Sequence, residues 1–318
     1  MNSDLKLTKF AKYAWFVLAY NIVVILWGVF LRASKSGDGC GQHWLTCGGE
    51  VIPSAPQMKT VIEFSHRLTS GLAFIAVLIL LIWAFRAFSA GNVIRKTALI
   101  SFIFIITEAL VGAGLVLTGN TAETLTAARP FWMIGHLTNT FILLAFLSLT
   151  AWFAGGGRRF NFRVGPKIRL LLLAAVAGIF FVGMTGSVAA LSNMLFPSQS
   201  LTEGLRQDFS GTSHILLRLR IFHPISSIIV GVFLIFLSGW LRKWAEGDRR
   251  VGRLSNALSL LILMQIAFGG LTLLTGAPIL MQLVHLFLAD AVWISFVLLT
   301  ASFLAVETGG ETIAGPLS

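Results

Sequence analysis

The chain has 318 residues, 56% of them hydrophobic and only 12% charged, with a mean hydropathy of +0.84. That composition excludes a soluble globular domain and describes a polytopic protein surrounded by membrane lipid. The net charge of +11 does not call for a nucleic-acid partner, because the basic residues lie in short connections between apolar stretches, where they set orientation.

Eight stretches are long enough to span, reading 13–32, 61–85, 95–117, 130–153, 168–190, 216–241, 254–275 and 280–303. Lys6, Lys9 and Lys12 precede the first, and Arg86, Arg95 and Lys96 separate the second from the third. Arg158, Arg159, Arg163, Lys167 and Arg169 separate the fourth from the fifth, and Arg242, Lys243, Arg249, Arg250 and Arg253 the sixth from the seventh. All fall on one side, which predicts a cell (plasma) membrane protein with both termini cytoplasmic. The first stretch lacks a small-residue cleavage site and reads as a retained helix. The large loops 33–59 and 191–214 then face outside, while the tail from Glu307 carries no motif. Cys40 and Cys47 share the first of these loops, where oxidising conditions preserve disulfides, so one Cys40–Cys47 disulfide is expected.

The two halves repeat. Glu108-Ala-Leu-Val-Gly112 through Thr118-Gly119 aligns with Gln265-Ile-Ala-Phe-Gly269 through Thr275-Gly276 at an offset of 157, which also carries His66 onto His223. His136 meets His285 at 149, because the loop before the fourth stretch is longer by eight residues. The fold predicted is an all-α integral membrane protein whose eight transmembrane helices form two tandem four-helix bundles, 1–157 and 158–318. An even number of spans per unit sets their pseudo-two-fold axis along the membrane normal.

His66, His136, His223 and His285 each follow the outer start of an alternate span by about six residues, or about 9 Å of helix. A lone intramembrane histidine is usually a packing or hydrogen-bonding residue. Four at one depth, two per repeat, are what bis-histidine haem ligation across helical bundles requires. Zinc or copper would recruit carboxylate, thiol or closer-spaced histidine. His43 and His214 lie in the loops and read as solvated or capping residues.

Glu63 stands three positions before His66 on the same helix face and reads either as a working acid or as a partner for Arg67. Its counterpart in the second half is Arg220, so one pocket carries an acid where the other carries a base. Arg218 and Arg220 are placed to pair with haem propionates, with ordinary helix-end positive charge as the alternative. Glu108 and Asp290 are intramembrane acids with no assigned role, and Gly112 and Gly269 read as sites of close helix packing.

Several motifs together resemble the haem A synthase family over essentially all eight spans. They are Leu31-Arg32-Ala33-Ser34, Gly37, Gly39-Cys40-Gly41, Trp44, Cys47, Ile52-Pro53, Glu63-Phe64-Ser65-His66-Arg67 and the later histidines. The resemblance implies oxidation of the C8 methyl of haem O to the formyl group of haem A, the cofactor of terminal oxidases. It also implies that His66 and His136, with Arg67, bind the substrate haem O, that His223 and His285 ligate a haem b cofactor, and that Glu63 is the catalytic acid residue. The partners it implies are a haem O synthase (protohaem farnesyltransferase) and the cytochrome oxidase assembly machinery. The chain departs from some relatives in lacking a second cysteine pair between 191 and 214, and its first loop reads Gly41-Gln42-His43-Trp44. A structural disulfide is therefore favoured over an exchange role.

Two rival functions remain at this level. A diheme b-type electron-transfer cytochrome explains the histidines but not the Glu63 and Arg220 asymmetry. A transporter would need polar residues at the bilayer midplane, whereas here they gather near one surface.

Overall fold

A computed structural model describes residues 7–160 and 164–306; Lys6, Arg163 and the tail from Glu307 lie outside the described residues. Among those residues the chain is all-helical: α1 Lys9–Ala33, α2 Met58–Ala87, α3 Val93–Leu117, α4 Arg129–Ala154, α5 Pro166–Leu195, α6 Leu201–Phe209, α7 Ile215–Arg220, α8 Phe222–Trp244, α9 Arg249–Leu274 and α10 Ile279–Val306. Eight helical segments, with α7 and α8 counted as one, are long and apolar enough to cross a membrane. They match the eight stretches anticipated from hydropathy, each running a few residues further at one or both ends.

Local chemistry sets the helix ends. Asn92 and Asp248 cap α3 and α9 by accepting from Ile94, and from Arg250 and Val251, respectively. Pro130 and Pro166 occupy the first turns of α4 and α5, where a missing N–H removes no bond. The repeated Thr-Gly pairs close α3 and α9. Gly119 (φ 67°) and Gly276 (φ 72°) turn left-handed, and the next residues' N–H groups return to Leu115 and Thr272 carbonyls. Both ends are Schellman motifs, which explains why the sequence repeats glycine there. The sixth span is broken at Ile221. Pro224 lacks the N–H that would continue the ladder to Arg220, and His223 stands at this break.

In the first half α1 packs on α2 and α4, α2 on α3, and α3 on α4; in the second, α5 packs on α8, α8 on α9, and α9 on α10. α4 and α10 form the seam, with α4 against α5 and α10, and α1 against α10. There Phe141 stacks on Trp293 and meets Phe180 edge-on, and Trp293 Nε1–H donates to the Phe141 carbonyl at 2.7 Å. The core is apolar, while Phe16, Leu170, Ile229 and Phe236 point outward with more than half their surface exposed. Outward apolar side chains suit a lipid surrounding rather than water.

Segments 34–57 and 196–214 lie at one end of the bundle, here termed the loop end. Contacts at that end join Lys35 to Glu123, Arg32 to Gln282 and Arg220 to Asn193. The first segment holds the expected Cys40–Cys47 disulfide, both cysteines buried. The second contains α6, a short helix that hydropathy did not anticipate because its residues are polar and capped by Ser200.

Candidate haem-binding cavity

One continuous cavity of about 2000 Å³ runs between the helices and is lined by His66, His136, His223 and His285. It is about twice the upper size of pockets for ordinary small ligands. The four histidines stand six to eight residues into α2, α4, the α7–α8 span and α10, all from the loop end. The depth match expected from sequence is therefore present.

A glycine on a neighbouring helix faces three of the imidazoles. A Cβ added at Gly28, Gly186 or Gly269 would stand 3.0, 2.9 or 3.0 Å from Cε1 of His66, His223 or His285. Gly269 is thus a close-approach site against an imidazole. Gly112, its repeat partner, has open space, and His136 leans elsewhere. Its Nδ1 lies 3.0 Å from Glu108 Oε1. Asn139 Nδ2 and Thr140 Oγ1 both donate to that carboxylate.

In the second half Gln265 replaces Glu108, with its amide nitrogen 3.4 Å from His285 Nε2. Gln265 Oε1 is buried without a hydrogen-bond partner. His223 Nδ1–H donates to the Val182 carbonyl at 3.2 Å, which leaves Nε2 free for a metal. His66 and His285 have buried Nδ1 atoms without partners.

The loop end carries the other predicted residues. Glu63 is buried; one carboxylate oxygen accepts the Cys40 N–H at 2.8 Å and the other accepts from Arg67. Arg67 Nη1 also donates to the His43 and Thr46 carbonyls, at 2.7 Å each. Together the pair pins the disulfide loop onto α2. Arg220 does the corresponding work in the other half. Its Nε pairs with Asp208, Nη1 with Asn193 Oδ1 at 3.0 Å, and Nη2 with the Gly204 carbonyl at 2.8 Å. Burial pushes the Asp208 carboxyl above its usual range, with Arg220 opposing.

The acid and base at equivalent positions thus both anchor a loop, one presented with an N–H and the other with a carbonyl and a carboxylate. Glu63, Arg67 and Arg220 also line the cavity; Arg218 is exposed and does not.

The donor set fits haem. Among the described residues no cluster of three or more His, Cys, Asp or Glu side chains could hold a bare metal ion. Two imidazoles suffice when a macrocycle supplies the other four ligands. Metal–nitrogen bonds of about 2 Å on either side, plus about 1 Å from each nitrogen to its ring centre, place two axial imidazoles about 6 Å apart. His223 and His285 stand with ring centres 6.1 Å apart.

Sequence reading named Arg32 only within the Leu31–Ser34 motif, without a role, and missed the cavity-lining Arg129 and the Glu108 contact to His136. Arg129 opens a span and reads as an ordinary flanking charge. The Glu108 contact was legible only as the four-residue offset of Glu108 and Gln265 before Gly112 and Gly269.

Comparison with known proteins gives a consistent picture. The protein is 44% identical over 306 residues to a protohaem IX farnesyltransferase of Thermus thermophilus, covering 96% of this chain and 50% of that protein. It is 39% identical over 127 residues to haem A synthase of Halalkalibacterium halodurans, covering 40% of this chain and 42% of that one. With haem A synthase of Bacillus mycoides it shares 42% identity over 98 residues, or 31% and 32% of the two chains. The chain spans about half the length of the first curated relatives it matches. The family of cytochrome oxidase assembly proteins designated COX15-CtaA matches residues 11–297. The chain belongs to that COX15-CtaA family.

Proposed function

We propose that this protein is a haem A synthase, an oxidoreductase that converts the C8 methyl of haem O to a formyl group by two successive oxidations. The observation carrying this reading is the single cavity lined by four histidines at one depth, two from each half. The relatives named haem A synthase support it.

In this reading residues 1–157 form the substrate bundle, where His66 and His136 would hold haem O, with Arg67 at its mouth. Residues 158–318 form the cofactor bundle, where His223 and His285 would hold haem b, with Arg220 and Arg218 as its cationic partners. The two are tandem four-helix units about an axis along the membrane normal, in a plasma membrane with cytoplasmic termini. The bound haem b would supply one-electron acceptance and relay.

The protein's own groups do the rest. The four imidazoles fix macrocycle depth, and Gly28, Gly186 and Gly269 let the rings stand close to neighbouring helices. Glu63 would take up a proton released in the oxidation, its carboxylate held in one orientation by Cys40 N–H and Arg67. Over the two oxidations the methyl gives up four electrons and four protons and takes two oxygens from water, through the alcohol to the hydrated aldehyde, which loses one water; the electrons leave singly to an acceptor outside the protein. The relative named for farnesyl transfer to protohaem is twice as long as the region matched, which supports placing this chain beside an enzyme that makes haem O, within cytochrome oxidase assembly.

Expression with a source of haem O, followed by chromatography and mass analysis of extracted haems, tests the reading. Hydroxylated haem O and haem A are expected, and Glu63→Gln should bind haem yet yield neither. Haem b as the sole haem recovered would support the diheme cytochrome instead. Full haem A production by Glu63→Gln would remove its catalytic role.

A further inference from the structure

Five cations line the cavity among the described residues, and three have acid partners: Lys35 with Glu123, Arg67 with Glu63, and Arg220 with Asp208. The other two, Arg32 and Arg129, belong to no ion pair there. Both lie at the loop end, Arg32 near the end of α1 and Arg129 at the start of α4. Arg129 is 2% exposed.

Their hydrogen bonds go to neutral acceptors. Arg32 Nη2 donates to Gln282 Oε1 at 3.2 Å, and Arg129 donates to the Thr124 and Ala122 carbonyls. These contacts orient the guanidiniums without neutralising them. The Nε of each is buried and unpartnered, and the two charges repel one another. An unpaired buried charge is costly in an apolar setting, and two side by side more so. Such a pair calls for an anion.

Gln282 belongs to α10, and Arg129 Nη2 lies 4.0 Å from Met194 Sδ on α5. The pair therefore sits at the seam between the halves, within the cavity that reaches both sets of histidines.

We propose that Arg32 and Arg129 form a carboxylate-binding subsite that takes the propionates of a macrocycle held by the cavity histidines. The proposal rests on the haem reading above and assigns the propionate contact to residues whose charge is free. Guanidinium forks match carboxylates better than any other cationic side chain, and a low-dielectric wall strengthens the contact. The subsite fixes which edge of the macrocycle faces the loop end.

The test is titration of the purified protein with iron protoporphyrin IX and with its dimethyl ester, followed by visible absorbance and thermal melting. The unaltered protein should bind the free acid at least tenfold more tightly than the ester. Arg32→Gln and Arg129→Gln should each weaken free-acid binding at least tenfold, leave ester binding unchanged, and not lower the melting midpoint without macrocycle. An acid-to-ester ratio in both variants equal to that of the unaltered protein would overturn the proposal, whether or not their unloaded midpoints fall. Repeating the titration in His66→Ala/His136→Ala and His223→Ala/His285→Ala backgrounds identifies which macrocycle provides the carboxylates. Binding spectra unchanged in both backgrounds would defeat histidine ligation alone, while the acid-to-ester ratio still decides the arginine subsite.

Discussion

Replacing Gly186 by alanine separates the needs of the fold from those of the site. The added Cβ would stand 2.9 Å from His223 Cε1 and 3.2 Å from Nδ1. Comfortable carbon contacts begin near 3.5 Å, so the ring must retreat by about 0.6 Å. A metal–ligand distance tolerates about 0.2 Å. Alanine also favours a helix interior by about 1 kcal/mol relative to glycine. The two effects have opposite signs. Haem affinity at the His223/His285 site should fall about 10–100-fold, the range seen when a ligand's support is disturbed, while the unloaded protein melts no lower than before. Gly239→Ala on α8 is the control, because its Cβ meets nothing within 4 Å; it should stabilise without touching haem binding. Titration by Soret absorbance with parallel melting curves reads both quantities. Unchanged haem affinity and spectrum in Gly186→Ala would refute the argument that Gly186 makes room for a ligating imidazole.

Glu108→Gln should make the His136 surroundings resemble those of His285. With His136 holding haem as proposed, exchanging the carboxyl beside it for an amide should move the iron's potential, and a difference of about 1 kcal/mol corresponds to a change on the order of 40 mV in a spectroelectrochemical titration. Cys47→Ser opens the short disulfide loop and should lower stability by about 2 kcal/mol. Protease nicking of segment 34–57 should follow, since Glu63 holds that loop through Cys40. Lys35 keeps the exposed Glu123 carboxyl below its usual range. The contribution of this ion pair is thus complete above the ordinary glutamate value near 4.3 and is lost as pH falls through the lower folded value. Glu123→Gln should flatten that acid limb in pH-dependent melting.

Spans and histidine depth were legible because both follow from periodicity and length alone. The repeat was legible at Thr118-Gly119 and Thr275-Gly276, where a left-handed helix end requires glycine. Glu63 and Arg220 were found but read through their difference in charge. Their common work, holding a loop over the cavity, depends on tertiary partners such as Cys40 and Gly204 that no spacing encodes. Arg32 drew no role beyond its motif, and Arg129 was passed over, for a related reason. A flanking arginine in lipid-facing sequence looks the same whether it meets water, an acid or an empty carboxylate site. α6 stayed hidden because its nine residues are too few for a spanning stretch to register, although Leu201, Leu205 and Phe209 recur every four residues along one face.

Haem content of paired histidine variants tests the division of labour most directly. His66→Ala/His136→Ala and His223→Ala/His285→Ala proteins are purified from cells supplied with haem O, and their haems are extracted and weighed by mass spectrometry. The account predicts that the first retains haem b and loses haem O and haem A, whereas the second loses haem b and keeps haem O unconverted. Loss of the same haem from both variants, or haem b retained equally in both, would contradict it.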